Sequence, residues 1–497
     1  MPGSWRGHDD RMWQASSVYK VCAVLNLLSM HLERLFFFMM KKSSLKNRLL
    51  MGTTGATLLL SMAAGALLGG AGVASAATTG ASRHVMSVHP IYQYAGQSNG
   101  SGTTFKCQSA TAAVSCYSPQ ALLKAYDIQR VQDAGIKGKG QTIVIIDAYG
   151  DPTVADDLKV FDTAFGLPAA NLNVINPYGA TFNPNDPVAS SWSGEIALDV
   201  ESSHAVAPQA TIDLVLAKTS ADQDIENALE YAVNNRLGSV ISQSYGEAES
   251  CVDPTILQAQ HRTFAKAVSE GISLFASSGD NGAAQPTCDG SSFIQSASSP
   301  ASDPLVTSVG GTHLSASQPD GAYGSESAWN DQFGSSGGGY STIYHRPFYQ
   351  NSFVHNSGRG VPDVSYSGDV NGGLLIAWSG GVPANVGAIY IFGGTSAGSP
   401  QWAAMTTLVD SVFGRQGDLN PLLYLFVARA EYSRVFHDVT TGNNSVVLAD
   451  ANGNPVTING YNATPGWDAV TGLGSIDLGN AILGSGRGCW SKFAITY

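Results

Sequence analysis

Charge is what this sequence has least of. Only 13% of its 497 residues are charged, and 26 basic residues face 38 acidic ones, a formal balance of −12. No basic patch suited to a polyanion stands out, so nucleic acid is excluded as the expected partner. Cysteine is scarce too, six in all, and no Cys-x-x-Cys spacing occurs, which argues against a cysteine zinc site. No internal repeat and no run of like charge is present, so a solenoid is not expected. What is abundant is apolar residues, 43%, and glycine, 56 residues. A chain of this length buries a large core, with a length prior of roughly two to three domains. Low charge density with much Gly, Ser, Thr and Asn is compatible with a secreted protein that tolerates acid.

An export signal is legible, but not at residue 1. From Met40 the chain reads Met-Lys-Lys, then Lys46 and Arg48, an apolar stretch from Leu58 to Leu68, and the small-residue site Ala74-Ser75-Ala76. Residues 40–76 are therefore expected to be a signal peptide cleaved after Ala76. Residues 1–39 then read as an upstream extension, with the true start at Met39 or Met40. The competing reading is a membrane anchor over Leu49 to Ala77, which its glycines and the alanine-rich cleavage site disfavour. Of the cysteines, Cys22 falls in the upstream stretch. Cys107 with Cys116, and Cys251 with Cys288, are expected disulfides of an oxidising compartment, leaving Cys489 over.

The pattern downstream alternates strand and helix. Thr142 to Asp147, Ala210 to Leu216, Ser239 to Ser242 and Ile272 to Ala276 are short β-rich apolar runs, separated by helical stretches such as Asp224 to Asn235 and Thr255 to Glu270. Continuous apolar strands between helices predict an α/β fold with a mostly parallel central sheet covered by helices on both faces. Function in such sheets gathers at the carboxyl ends of the strands, where Asp147 and Asp280 fall.

Gly393-Gly394-Thr395-Ser396-Ala397-Gly398-Ser399-Pro400 delivers a serine to the start of an apolar helical run, Gln401 to Phe413. Unpaired N–H groups at a helix N-terminus favour developing negative charge, and Pro400 fits a first turn that needs no N–H. A Gly/Ser loop capping a buried helix reads equally from this segment by itself; partners decide. Ser193 to Glu201 supplies them: on a helix, Glu195 and Asp199 are four apart and share a face. Adjacent carboxylates repel, so one tends to hold a proton. A carboxylate beside a serine takes its proton in acid, where a histidine would be charged.

These segments, Glu195-xxx-Asp199, Ser277-Ser278-Gly279-Asp280 and Gly394 to Pro400 in that order, resemble the sedolisin (serine-carboxyl) peptidases, relatives of the subtilisin fold. The context matches as well: His204 to Pro208, Glu326 to Asn330, Ser336 to Ser341 and Gly360 to Val364. The resemblance covers residues 117–484. It implies a subtilisin-like fold and a secreted acid peptidase in which Ser396 is the nucleophile, Glu195 the general base and acid, and Asp199 the residue that orients Glu195. Asp280 would form the oxyanion hole with the N–H of Ser396. Substrates would be proteins or peptides, with no membrane attachment after signal cleavage, and a monomer is expected. Endopeptidase and tripeptidyl-peptidase action both stay open.

The C-terminal part resembles the family's calcium site. Asp438 and Asp468 would give one Ca2+ side-chain oxygens, with Val439, Thr464 and Gly466 giving carbonyls, as a hard cation requires. Thr464 stands where the family usually has glycine, which removes no carbonyl. The family is usually made with a large propeptide, yet the stretch 77–116 is too short for a folded one. The tail 485–497 looks unlike a family ending. Two alternatives remain: a neutral Ser-His-Asp hydrolase using His204 and Asp147, and a non-catalytic secreted binding protein on the same fold.

Overall fold

Four consecutive apolar residues, Ile143-Val144-Ile145-Ile146, suit a strand with no solvent-facing side, and none of the four is exposed at all. The computed structural model describes residues 85–88, 90–428 and 432–484. The signal peptide expected at 40–76, the stretch 1–39, Cys22, and the tail 485–497 with Cys489 lie outside the described residues.

The strands that position the site are β1 (Ile91–Gln97), β2 (Cys116–Tyr117), β3 (Thr142–Ala148), β4 (Asn171–Ile175), β5 (Thr211–Ala217), β6 (Val240–Gln243), β7 (Ser273–Ser277), β8 (Thr307–Ala316), β9 (Tyr323–Ala328), β10 (Val364–Ser367), β11 (Gly373–Ala377) and β12 (Ala388–Gly393). The helices are α1 (Val154–Phe165), α2 (Pro187–Val206), α3 (Asp222–Asn234), α4 (Pro254–Ser269) and α5 (Gly398–Phe413). The central sheet runs β9-β8-β7-β6-β3-β5-β4, with β10 also paired to β8. Every pairing in it is parallel except the β8–β9 hairpin.

Successive residues of β3 point to opposite faces, and the core divides accordingly. Ile143 and Ile145 join an apolar cluster with Ile196 and Leu198 of α2 and Trp402 and Met405 of α5. Val144 and Ile146 join another with Ile225 and Leu229 of α3 and Phe264 of α4. Helices thus cover both faces, as the strand pattern predicts. Truncating such a residue, Ile145→Ala for instance, is expected to cost about 2–5 kcal/mol.

Two stretches up to residue 117, β1 and β2, are built into a second sheet. β1 pairs antiparallel with β12, which pairs antiparallel with β11, and β11 pairs parallel with β2. The disulfides Cys107–Cys116 and Cys251–Cys288 are both formed. Among the described residues, no helix is long and apolar enough to cross a membrane.

Candidate active site

Two helices and two loops converge here. α2 starts cleanly: Asp186 accepts from the N–H of Val188 at 2.9 Å, and Pro187 occupies the first turn. From Trp192 onward the helix is buried on every side, so its polar residues are carried inside the protein. Glu195 and Asp199, one turn apart, both have no exposed surface, and neither has a hydrogen-bond partner of ordinary geometry for its carboxylate oxygens. Asp147, at the end of β3, is in the same condition. Carboxyls buried in this way resist ionisation.

The three carboxyls act on one another. Burial raises the Glu195 carboxyl well above the usual range, and the charges of Asp199 and Asp280 push the same way while the Ser396 hydroxyl favours its ionised form. Asp199 is raised by burial and by the charge of Asp147, against a bond from Ser244. Asp147 is raised by burial and by the charge of Glu195. A chain of three such groups holds protons jointly rather than ionising together.

Ser396 lies in a single 3-10 turn, Thr395–Ala397, that runs into α5. Gly394, at φ +106°, starts the turn, and a Cβ there would stand 2.8 Å from Oδ2 of Asp280. Gly398 is fixed by packing, since a Cβ would lie 2.7 Å from Cγ1 of Val309. The Ser396 hydroxyl approaches the carbonyl of Ser244 at 3.5 Å, and the Ser244 hydroxyl donates to the Ser396 carbonyl at 3.4 Å.

Asp280 follows β7. Its Oδ1 accepts from the N–H of Thr395 at 2.7 Å and from the Thr395 hydroxyl at 2.8 Å. The Gly-rich loop after Asn330 clamps its backbone: Ser335 donates its N–H to the Asp280 carbonyl at 2.9 Å, and Gly337 to that of Gly279 at 2.7 Å. A Cβ on Gly337 would come within 2.2 Å of the Ser278 carbonyl, so only glycine fits. The cleft above is lined by Ser396, Asp280, Ser244, Gly246 and Glu247, with the Cys251–Cys288 bridge in its wall.

All four sequence-predicted residues, Ser396, Glu195, Asp199 and Asp280, are thereby brought together, with Asp147 joined to them. His204 is not. It lies nine residues beyond Glu195 on α2, which at about 100° and 1.5 Å per residue puts it on the opposite side and roughly 13 Å along the axis. Its Nε2 meets the Pro168 carbonyl at 2.8 Å and Asp162 at 3.1 Å. The Ser-His-Asp arrangement with Asp147 is corrected on that ground: the ring is spent on α1 and the loop after it. Ser244 and Thr395 were missed, although Ser244 directly follows β6, at a carboxyl end where such residues gather.

The two loops with the expected calcium ligands are adjacent. Ala463 donates its N–H to the Gly442 carbonyl at 3.0 Å, and the Gly466 N–H donates to Asp438 at 3.0 Å. Asp468 accepts from the N–H groups of Thr464, Val470 and Thr471, and burial nonetheless raises it to about 6. Among the described residues, no group of three or more His, Cys, Asp or Glu is arranged to hold a metal ion. Two carboxylates and nearby carbonyls still make an oxygen-only donor set of the kind Ca2+ takes.

Kumamolisin from Bacillus sp. (strain MN-32) is 34% identical to this chain over 400 residues, covering 77% of this chain and 66% of that protein. Sedolisin from Pseudomonas sp. (strain 101) is 32% identical over 354 residues, covering 68% of this chain and 56% of that protein. The chain thus spans between about half and two thirds of the length of curated relatives it matches. A solved structure of Pseudomonas sedolisin, a serine-carboxyl proteinase complexed with two molecules of pseudo-iodotyrostatin, superposes with a TM-score of 0.63 at 29% identity, covering 74% of this chain and 97% of the solved one. No protein-family model matches the chain.

Proposed function

This chain belongs to the sedolisin family, and from that premise we propose that it is an exported, acid-active serine-carboxyl peptidase that hydrolyses proteins or peptides as a monomer. The observation that carries the reading is the buried carboxyl chain Glu195, Asp199 and Asp147 beside the hydroxyl of Ser396.

In the proposed reaction, ionised Glu195 takes the proton of Ser396 as its Oγ attacks the substrate carbonyl carbon. Asp199 holds the shared proton and orients Glu195. The oxyanion accepts from the N–H of Ser396 and from the protonated carboxyl of Asp280. Oδ1 of Asp280 is engaged by Thr395, so the donated proton belongs on Oδ2. Glu195 then gives its proton to the leaving amine, and water, deprotonated by Glu195, releases the acyl group from Ser396. Calcium, held by Asp438 and Asp468 with the carbonyls of Val439, Thr464 and Gly466, would brace the two C-terminal loops.

Digestion of an unfolded protein at pH about 4 tests the reading, with new termini identified by mass spectrometry beside Ser396→Ala. Cleavage by the parent and none by the variant is expected; three-residue products alone would mark tripeptidyl-peptidase action. Equal cleavage by both proteins, or none by either, would sink the proposal.

A further inference from the structure

The pocket beside Ser396 has two walls. One is Gly246 to Ala248 with Cys251, after β6; the other is Gln285 to Cys288 with Gly290, in a hairpin after β7. That hairpin is small: Ala284–Pro286 pairs antiparallel with Phe293–Gln295, three residues on each side. A two-stranded hairpin is marginal by itself, so the wall needs support from elsewhere. Toward the pocket, Cys288 is tied across to Cys251.

On the other side stands a second hairpin. The stretch between the loops that carry Asp438 and Asp468 folds as two strands, Val446–Ala449 and Pro455–Ile458, paired antiparallel. One carboxylate builds its turn: Oδ1 of Asp450 accepts from the N–H groups of Asn452 and Asn454, both at 2.8 Å. Val446, Leu448, Val456 and Ile458 are partly buried while Val447 and Thr457 are exposed, so one face lies against the protein and the other meets solvent.

This hairpin meets the wall at its root, middle and tip. At the root, a Cβ on Gly282 would lie 2.7 Å from Cγ1 of Val446, and Ala283 donates its N–H to the Asn444 carbonyl at 3.0 Å. Midway, Nε2 of Gln295 donates to the Asn459 carbonyl at 2.9 Å and to the Tyr461 hydroxyl at 3.2 Å. At the tip, Ala451 donates its N–H to the Ser291 carbonyl at 3.0 Å. The wall is thereby gripped from both sides.

We propose that the 446–458 hairpin is a specificity element: it backs the 284–295 wall and so fixes the width of the pocket that takes the substrate side chain next to the cleaved bond. This rests on reading the cleft as the peptide site. Residues 446–458 do not line the pocket themselves, so they act as positioning residues, through Gln285 to Cys288. Asp280 is fastened separately, by Thr395 and Ser335. The hairpin therefore governs which side chains enter rather than the chemical step, and a braced wall excludes side chains to which a free wall would give way.

The test compares the parent with a chain in which Gly-Gly replaces residues 446–458, a short join because Val446 and Ile458 are paired neighbours. Both are assayed at pH about 4 on unstructured peptides that differ only in the residue before the cleaved bond, from glycine to phenylalanine. Excision is expected to narrow the spread of kcat/KM across the set by about tenfold, through KM on the peptides the parent takes worst, with kcat on its best peptide kept within about threefold. Gln295→Ala removes only the midway bonds, from an exposed side chain, and should narrow the spread by about threefold even if the excised chain folds poorly. In the Ser396→Ala background, where no turnover is needed, excision should speed hydrogen exchange at the Thr287 and Ser296 amides, which bond within the wall at 2.9 and 3.2 Å, by about tenfold. A spread unchanged in both variants, a kcat that falls equally on every peptide, or unchanged exchange overturns the brace and leaves the peptidase reading standing. Cleavage of no peptide by the parent overturns the peptidase reading instead, and the exchange result then decides whether the hairpin braces the wall.

Discussion

Asp280 and Thr395 are fastened by two bonds to one oxygen: Oδ1 of Asp280 accepts from the Thr395 N–H at 2.7 Å and from its hydroxyl at 2.8 Å. This ties the carboxyl after β7 to the residue preceding Ser396, so the oxyanion donor and the nucleophile move as one unit. Thr395→Val removes one of the two bonds while keeping shape. We expect kcat to fall by about tenfold to a hundredfold with KM little changed, because the lost contact aims a group that acts in the transition state. An unchanged kcat would show that the N–H bond alone suffices.

Asp199→Asn removes the carboxyl that shares a proton with Glu195. Once ionised, Asp199 raises Glu195 after burial does, so without it Glu195 should ionise in a single step, at lower pH than the second titration of the pair. The steps are read from kcat measured at fixed saturation across pH. Two steps surviving in the variant would remove Asp199 from the role of charged neighbour.

Most of the frame behind these expectations was legible in the sequence. Thr142 to Asp147 read as a β-rich apolar strand of a covered sheet, and the Glu195–Asp199 spacing put both carboxyls on one helix face. The pairing of Val85 with Ala221 and of Ser87 with Gly246 was not legible. It is made by backbone atoms to residues more than a hundred positions away, and Val-Met-Ser-Val has no period long enough to read. β1 carried a readable signal, the alternation in Ile-Tyr-Gln-Tyr, yet nothing local specified its pairing with β12. The alternative base His204 could have been set aside on helical phase as well: nine residues is half a turn out of register with Glu195.

Stability should be greatest in acid. Burial raises Asp157 to about 6 and Asp410 to about 7, above their unfolded values near 4. A raised carboxyl binds its proton more tightly when folded. Its contribution is therefore full below pH about 4 and is lost as pH rises through the folded value, at up to about 1.4 kcal/mol per pH unit for each group. Thermal unfolding should show Tm falling between about pH 4 and 7, and the fall should be shallower in Asp410→Asn. A Tm that rises over that window would contradict the assignment.

Cys251–Cys288 closes a span of 37 residues and lies in the cleft wall. Breaking it with Cys251→Ser and Cys288→Ser together is expected to cost about 3–4 kcal/mol, by the entropy of the loop it closes. Because that wall faces the substrate, KM should rise as well. Chemical denaturation gives the first quantity and peptide kinetics the second; a loss of stability with KM unmoved would confine the bridge to folding.

Calcium removal should loosen the C-terminal loops. Chelator is expected to lower Tm by several degrees in the parent and by much less in Asp468→Asn, about the shift that a few kcal/mol of bound-ion stabilisation gives. Tm insensitive to chelator in both proteins would dismiss the metal.

The central claim, that Ser396 is activated by carboxyls rather than by histidine, is tested most directly by the pH–rate profile of kcat on an unstructured peptide, measured for the parent, Ser396→Ala and His204→Gln. The account expects a maximum between about pH 3 and 5, abolished in Ser396→Ala and kept in place in His204→Gln. A maximum near neutrality that disappears in His204→Gln would contradict it.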